Sequence, residues 1–210
     1  MGQRESPRPT PTRSRGRRPL GRDRTPWRDS NVDRVRASEV LLRAREQQRR
    51  ATAVHEAGHF LVGAYLGLLY DSIGIEVGTR IKMGVVVRDG DHQLSRSAFA
   101  AVLAAGGLAQ ARIGAPITLG TGSDEQQIAD LRLSATTVTK ARQSAAKIVD
   151  LVWPDVLLLA DVVVEHNVLA GETALAYVLA AADAGVDGPW NDQTMTQSYT
   201  TMVNARAGRS

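Results

Sequence analysis

Residues 54–60 read V-H-E-A-G-H-F and lie within a largely apolar run over residues 51–69. If this run is a helix, the four-residue spacing of His55 and His59 places both imidazoles on one face, one turn apart. Glu56 lies between them and can reach a water molecule beside whatever the two histidines hold. Zinc hydrolases use this set, with neutral imidazoles as metal ligands and a carboxylate as general base.

The apolar flanks of the pair favour a metal site over two surface histidines on an ordinary amphipathic helix. Val54, Ala57 and Phe60 surround the histidines with apolar sequence. Buried histidines need polar partners, which a metal ion or the protein core can supply. We therefore predict a metal site, with a histidine pair satisfied in the core as the alternative.

Composition predicts a mainly α-helical protein with one domain and two tails. The chain has 210 residues, of which 43% are hydrophobic but only 4% aromatic. Alanine, leucine and valine dominate, which favours close-packed helices over a β-sandwich. The sequence contains no cysteine, so any metal must be held by His, Asp or Glu.

Charge is concentrated at the N-terminus. Residues 1–50 contain 15 arginines and six acidic residues. We predict a disordered Arg/Pro-rich tail over residues 1–30, a metallopeptidase-like domain over 31–184 and a polar tail over 185–210. The basic tail is a candidate for binding nucleic acid or an acidic partner. Neither a secretory signal nor a transmembrane stretch is recognised, so we expect a cytoplasmic location.

Hydrophobic periodicity, with glycine and proline at the segment boundaries, predicts several helices and one small β-element. Glycine-flanked β-branched runs follow the motif helix and predict a hairpin or small sheet. The predicted helices are one from Ser30 leading into a motif helix at about 50–67, then 94–113, about 124–150, 154–168 and 171–184. Gly58, inside the motif helix, is predicted to serve the close approach of another element.

A catalytic zinc site needs a third protein ligand. The pattern H-E-x-x-H-x-x-G-x-x-H is excluded, because Tyr65 occupies the position of its last histidine. Glu76 lies about twenty residues downstream, a spacing found in thermolysin-like enzymes. Asp124, in G120-T-G-S-D-E-Q-Q, is the other candidate. His92 lies in a predicted turn and is left outside the site as a solvated residue.

Asp124 also has an alternative explanation in helix capping. Ser123 with Gln126 would form a capping box, and acidic residues favour the first turn of a helix. Spacing alone does not choose between the capping and ligand interpretations of Asp124, while Glu76 lies in a predicted strand run.

The chain resembles the peptidase domain of the FtsH-type family of zinc metalloproteases over roughly residues 45–180. The matching pieces are A53-V-H-E-A-G-H-F-L-V, a strand pair, A105-G-G-L-A-Q-A and T121-G-S-D before a helix. The resemblance implies a helical metallopeptidase domain that binds Zn²⁺ through His55, His59 and Asp124, with Glu56 as the catalytic residue. The glycine-pair helix would support this site.

Departures from the family limit what the resemblance implies. FtsH-type proteins carry an ATPase module and membrane-spanning segments, whereas neither G-x-x-x-x-G-K-[S/T] nor a hydrophobic span occurs in this sequence. The family's acidic pair after the glycine-pair helix is replaced by Gln110 and Ala111. We therefore expect a polypeptide substrate in flexible form, with a separate ATPase or a homo-oligomer as possible partners.

Two other functions compete with zinc-dependent peptide hydrolysis. The first is a metal-stabilised binding or regulatory module, inactive or weakly active, whose basic tail docks on nucleic acid or an acidic partner. Against it stands Glu56, which a purely structural site does not need. The second is a repressor-cleaving regulatory metallopeptidase, a class that also uses H-E-x-x-H. The T-G-S-D loop and the glycine-pair helix favour the FtsH-type family over this class.

Overall fold

A computed structural model describes residues 29–75, 83–87, 94–115 and 119–183. The described residues form mainly helices with a small antiparallel sheet, which confirms the predicted fold class at that level. The helices are α1 Asp29–Tyr65, α2 Arg96–Arg112, α3 Leu119–Asp130, α4 Ala135–Leu151, α5 Trp153–His166 and α6 Gly171–Asp183. The strands are β1 Tyr70–Ile75, β2 Met83–Val87 and β3 Val168–Ala170.

Several predictions fall outside the described residues. These are the candidate ligand Glu76, the turn residue His92 and both tails, except that α1 already begins at Asp29. No helix in the described part of the chain is long and apolar enough to cross a membrane.

The chain divides into two compact units, Met1–Val40 and Leu41–Ser210. In the first unit, the described side chains from Arg34 onward are exposed, and the Ser38 hydroxyl donates to the Arg34 carbonyl. The second unit contains residues 41–65 of α1, the sheet, the other five helices and the hydrophobic core.

α1 is one helix, so the prediction of two helices meeting near residue 50 was wrong. The residues around position 50 are arginine, glutamate, glutamine and alanine, which all favour helix, and no glycine or proline interrupts them. The helix ends at Tyr65 as expected from Gly67, whose φ of 90° is accessible to glycine. The Leu68 amide closes the end by donating to the Gly63 carbonyl at 2.8 Å.

The predicted hairpin is present, and a third strand joins it. β1 pairs antiparallel with β2 on one side and with β3 on the other, in the order β2-β1-β3. β3 has only three residues, V-L-A, and directly precedes α6; it was not predicted, because the sequence predicted helices over 154–168 and 171–184. A strand this short is defined by its long-range partner rather than by its own pattern.

The predicted long helix over 124–150 was also wrong. α3 starts earlier, at Leu119, and ends at Asp130, and α4 begins at Ala135 after a short turn. Arg132 adopts a left-handed φ of 50°, and the Ser134 hydroxyl caps α4 by accepting from the Thr137 amide. The capping box predicted at Ser123 is therefore absent, since Ser123 lies inside α3.

α1 and α2 pack with very little space between their backbones. A Cβ atom on Gly58 would lie 2.8 Å from the Ala109 Cβ and 2.9 Å from the Ala105 carbonyl oxygen. This agrees with the predicted role of Gly58. Because no side chain separates the helices here, α2 lies against the α1 face that carries His55 and His59.

Candidate metal centre

Three side chains from two distant segments meet inside the second unit. His55 Nε2 lies 3.0 Å from His59 Nε2 and 3.0 Å from Asp124 Oδ2, and His59 Nε2 lies 3.2 Å from the same oxygen. His55 is 2% exposed and His59 8%, while the Asp124 side chain is 14% exposed. Such a group could hold a metal ion. The three residues are the predicted ligand set.

α3 brings Asp124 to the histidines from its second turn. One turn further on, Ile128 is buried with Ala101, Ala104 and other small residues of α2 and α4, which fixes α3 against α2. Asp124 is therefore positioned by packing along a helix rather than by a terminal cap. This removes capping as an explanation for Asp124.

The Nδ1 atoms of both imidazoles have acceptors. His59 Nδ1 lies 2.7 Å from the Val102 carbonyl oxygen, and His55 Nδ1 lies 3.2 Å from the Gln110 side-chain oxygen. A carbonyl oxygen can only accept, so each Nδ1 carries the proton and donates. In the neutral imidazoles both Nε2 atoms are then left with a lone pair.

With these tautomers the three side chains could hold a cation. Two nitrogen lone pairs and a carboxylate oxygen face one another at 3.0–3.2 Å with nothing between them to donate. Such an arrangement is repulsive unless a cation or added protons occupy it. In tetrahedral zinc sites, bond lengths of about 2.0–2.1 Å place the ligand atoms about 3.3 Å apart. The residues present therefore fit a zinc ion, with hydrogen-bonded Nδ1 groups as is usual for metal-binding histidines.

Gly106 forms one wall of the centre. A Cβ atom at this position would lie 2.4 Å from His59 Nε2 and 2.8 Å from His55 Nε2. The resemblance implied that the helix of the pair Gly106–Gly107 supports the site. The structure adds that the missing side chain of Gly106 leaves the ligand nitrogens their space.

Tyr70 supports the motif helix from the other side. Its hydroxyl donates to the His59 carbonyl at 3.1 Å, and its ring stacks on Phe60 with centroids 4.9 Å apart. Tyr70 is 3% exposed and contacts Gly63, where a Cβ atom would collide with its hydroxyl. The turn of α1 that carries His59 is thus packed in place.

Burial and the mutual charges of the group shift three pKa values. Burial raises the pKa of Glu56, and the nearby His59 and His55 only partly oppose this. Burial also disfavours charged His59, but its hydrogen bond to Asp124 and the charges of Glu56 and Asp124 outweigh this and raise its pKa. For Asp124, burial acts to raise the pKa, yet the hydrogen bonds that both imidazoles donate when they are protonated at Nε2 lower it to about 2. The site thus favours ionised Asp124 and positive charge beside it.

The hydrogen-bond partners of the two imidazoles were not predicted from the sequence. The Val102 carbonyl has no side-chain signal, so only the fold reveals it. Gln110 is 1% exposed and lies one turn after Gly106 on α2. A single amide side chain in an alanine-rich helix was unusual, but the sequence indicated neither its partner nor its role. Glu56, by contrast, was predicted, and it is 6% exposed beside the cluster.

Known proteins add no further assignment. Neither a protein-family model nor a curated protein sequence matches this chain. The site is therefore interpreted from its residues and their geometry.

Proposed function

We propose that this protein is a zinc-dependent metalloendopeptidase that hydrolyses peptide bonds in polypeptides. The observation that carries the proposal is the convergence of His55 Nε2, His59 Nε2 and Asp124 Oδ2 beside the buried Glu56. Three protein ligands leave a position open on a tetrahedral ion, as in catalytic rather than structural zinc sites. Bound zinc would polarise a carbonyl group and lower the pKa of a coordinated water toward about 7.

Glu56 is the proposed general base. It follows a ligand directly in the sequence, and burial raises its pKa from the ordinary value of a glutamate. A raised pKa makes the carboxylate a better proton acceptor near neutral pH. Glu56 takes the proton of the attacking water and later delivers it to the leaving amine.

The ligands are held by groups that keep them ready for this chemistry. Val102 and Gln110 hold the protons of the imidazoles on Nδ1, so that both Nε2 atoms face Asp124. Asp124, with a pKa of about 2, stays ionised throughout the range in which a peptidase works. The chain thus supplies one negative and two neutral ligands without rearrangement.

Polypeptide substrates would add to the sheet. Among the described strands, β2 pairs only with β1, so its other edge could bind an extended segment by backbone hydrogen bonds. Recognition of this kind needs little sequence preference in the substrate. The resemblance to FtsH-type peptidases supports the proposal. Since the ATPase motif of that family is not found in this sequence, we propose a separate ATPase or a homo-oligomer as partner, in the cytoplasm.

Hydrolysis of unfolded casein tests the proposal. Zinc-loaded protein should cleave casein, chelation should stop cleavage, and added zinc should restore it. Glu56→Gln should abolish cleavage while zinc stays bound, because the substitution removes the base and keeps the ligands. Cleavage by Glu56→Gln at the wild-type rate would show that Glu56 is not the base.

A metal-stabilised binding module is the second candidate, and burial favours it. His55, Glu56 and His59 are at most 8% exposed, which is more typical of a structural metal site than of an open active site. In that case zinc removal unfolds the protein, and zinc-loaded wild type leaves casein intact. The same assay, run beside a thermal melt, separates the two functions.

A further inference from the structure

The two metal-binding histidines are held by different kinds of group. His59 Nδ1 donates to a main-chain oxygen at 2.7 Å, the carbonyl of Val102. His55 Nδ1 donates at 3.2 Å to the side-chain amide of Gln110, which is 1% exposed. The tautomer of His59 is therefore set by the backbone of α2, whereas that of His55 depends on one side chain.

We propose that Gln110 is a positioning residue that sets the metal-binding tautomer of His55 and tunes its strength as a ligand. An acceptor at Nδ1 keeps the proton there and the Nε2 lone pair available. Without this acceptor, the proton could move to Nε2. Asp124 Oδ2 lies 3.0 Å from Nε2 and would then accept a hydrogen bond from it. Imidazole in that form cannot bind a metal through Nε2. The inference rests on the metal centre of the proposed function.

The chemical nature of the acceptor matters as much as its presence. A carboxylate in this position makes the imidazole more basic and a stronger ligand than a neutral amide does. Gln110 therefore gives the weaker of the two possible acceptors. A metal held by weaker donors retains more of its own electrophilicity, so Gln110 favours turnover over affinity.

Two substitutions at position 110 and one control test this. Gln110→Leu removes the acceptor and keeps much of the volume, while Gln110→Glu keeps the shape and adds charge. Tyr70→Phe is the matched control, because it deletes a buried hydrogen bond of 3.1 Å to the backbone of His59 without touching an imidazole. All three are compared with wild type in zinc affinity, by competition with a chelator, and in the ¹⁵N shifts of the metal-free imidazoles.

Gln110→Leu should weaken zinc binding by about 10–100-fold, the usual effect of losing such a partner. Its His55 should shift toward the Nε2-protonated tautomer, whereas Tyr70→Phe should keep the wild-type tautomers and lose much less zinc affinity than Gln110→Leu. Gln110→Glu should bind zinc more tightly than wild type and turn over more slowly. Equal weakening in Gln110→Leu and Tyr70→Phe, or an unchanged His55 tautomer in Gln110→Leu, would overturn the inference.

If Gln110→Leu does not fold, the zinc affinity of Gln110→Glu tests the inference in its place. Unchanged or weaker zinc binding by Gln110→Glu contradicts the proposed tuning. Failure of the peptidase proposal looks different. If wild type leaves casein intact while Gln110→Leu loses zinc affinity, the inference stands and the peptidase proposal falls. If wild type cleaves casein and Gln110→Leu binds zinc normally, the reverse holds.

Discussion

Gly106→Ala should destroy the metal centre by inserting a single methyl group. The added Cβ would lie 2.4 Å from His59 Nε2 and 2.8 Å from His55 Nε2. Ordinary contacts of a Cβ begin at 3.4 Å, so the two nitrogens are too close by 1.0 Å and 0.6 Å. Metal–ligand distances tolerate deviations of only about 0.2 Å. At least one imidazole must therefore leave its position.

The expected loss of zinc affinity is large, whereas the expected loss of folding stability is small. Displacing a ligand should weaken zinc binding by more than the roughly 10–100-fold caused by losing an outer hydrogen bond. Overpacking a buried site costs about 1–3 kcal/mol, partly offset by the better helix propensity of alanine, about 1 kcal/mol. The metal-free variant should therefore remain folded by circular dichroism while it fails to retain zinc.

Two glycine variants serve as controls. A Cβ on Gly122, in the helix of Asp124, meets nothing within 4 Å, so Gly122→Ala should bind zinc normally. Gly58→Ala overpacks α1 against Ala109 and Ala105 without contacting a ligand nitrogen. It should lower the melting temperature more than the zinc affinity. A Gly106→Ala protein that binds zinc as tightly as wild type would refute the geometry of the centre.

Three further predictions follow from the described residues. Asp155 is 1% exposed, its Oδ2 has no hydrogen-bond partner among the described residues, and burial raises its pKa to about 6. A raised pKa means that the native state holds the proton more tightly, so the free energy of unfolding decreases as the pH rises from about 4 to about 6. Asp155→Asn should therefore add about 1–3 kcal/mol near neutral pH and little near pH 4, measured by urea unfolding. Arg132 has a φ of 50°, so Arg132→Gly should raise stability or leave it unchanged, whereas Arg132→Val should lower it, as thermal melts would show. Zinc must displace protons from the histidines, and the pKa of His59 is raised, so zinc affinity should already decline as pH falls toward the ordinary histidine range. Affinity that is constant from about pH 8 to pH 6 would contradict this.

Local sequence predicted two of the three residues of the centre. The spacing of His55 and His59 follows from helix geometry alone, and both side chains lie together as expected. Asp124 is 65 residues from His59, and spacing did not choose between its ligand and capping interpretations. Only the resemblance to a known family favoured it, because no local pattern encodes which distant carboxylate packs against a helix.

Elements that depend on long-range contacts were missed for the same reason. The break between α3 and α4 needs Arg132 in a left-handed conformation, although arginine is a good helix former. β3 exists only because β1 offers it an edge. The partners of the imidazoles, the Val102 carbonyl and the Gln110 amide, become ligand supports only once α2 lies against α1.

Zinc content of wild type beside Asp124→Ala tests the central claim most directly. Both proteins are saturated with zinc and dialysed against a weak chelator, and the metal is then quantified by mass spectrometry. We predict that wild type retains one zinc ion per chain and that Asp124→Ala, left with two histidine ligands, loses it. Equal zinc retention by the two proteins would contradict the three-residue centre and direct the search to another third ligand, first of all Glu76.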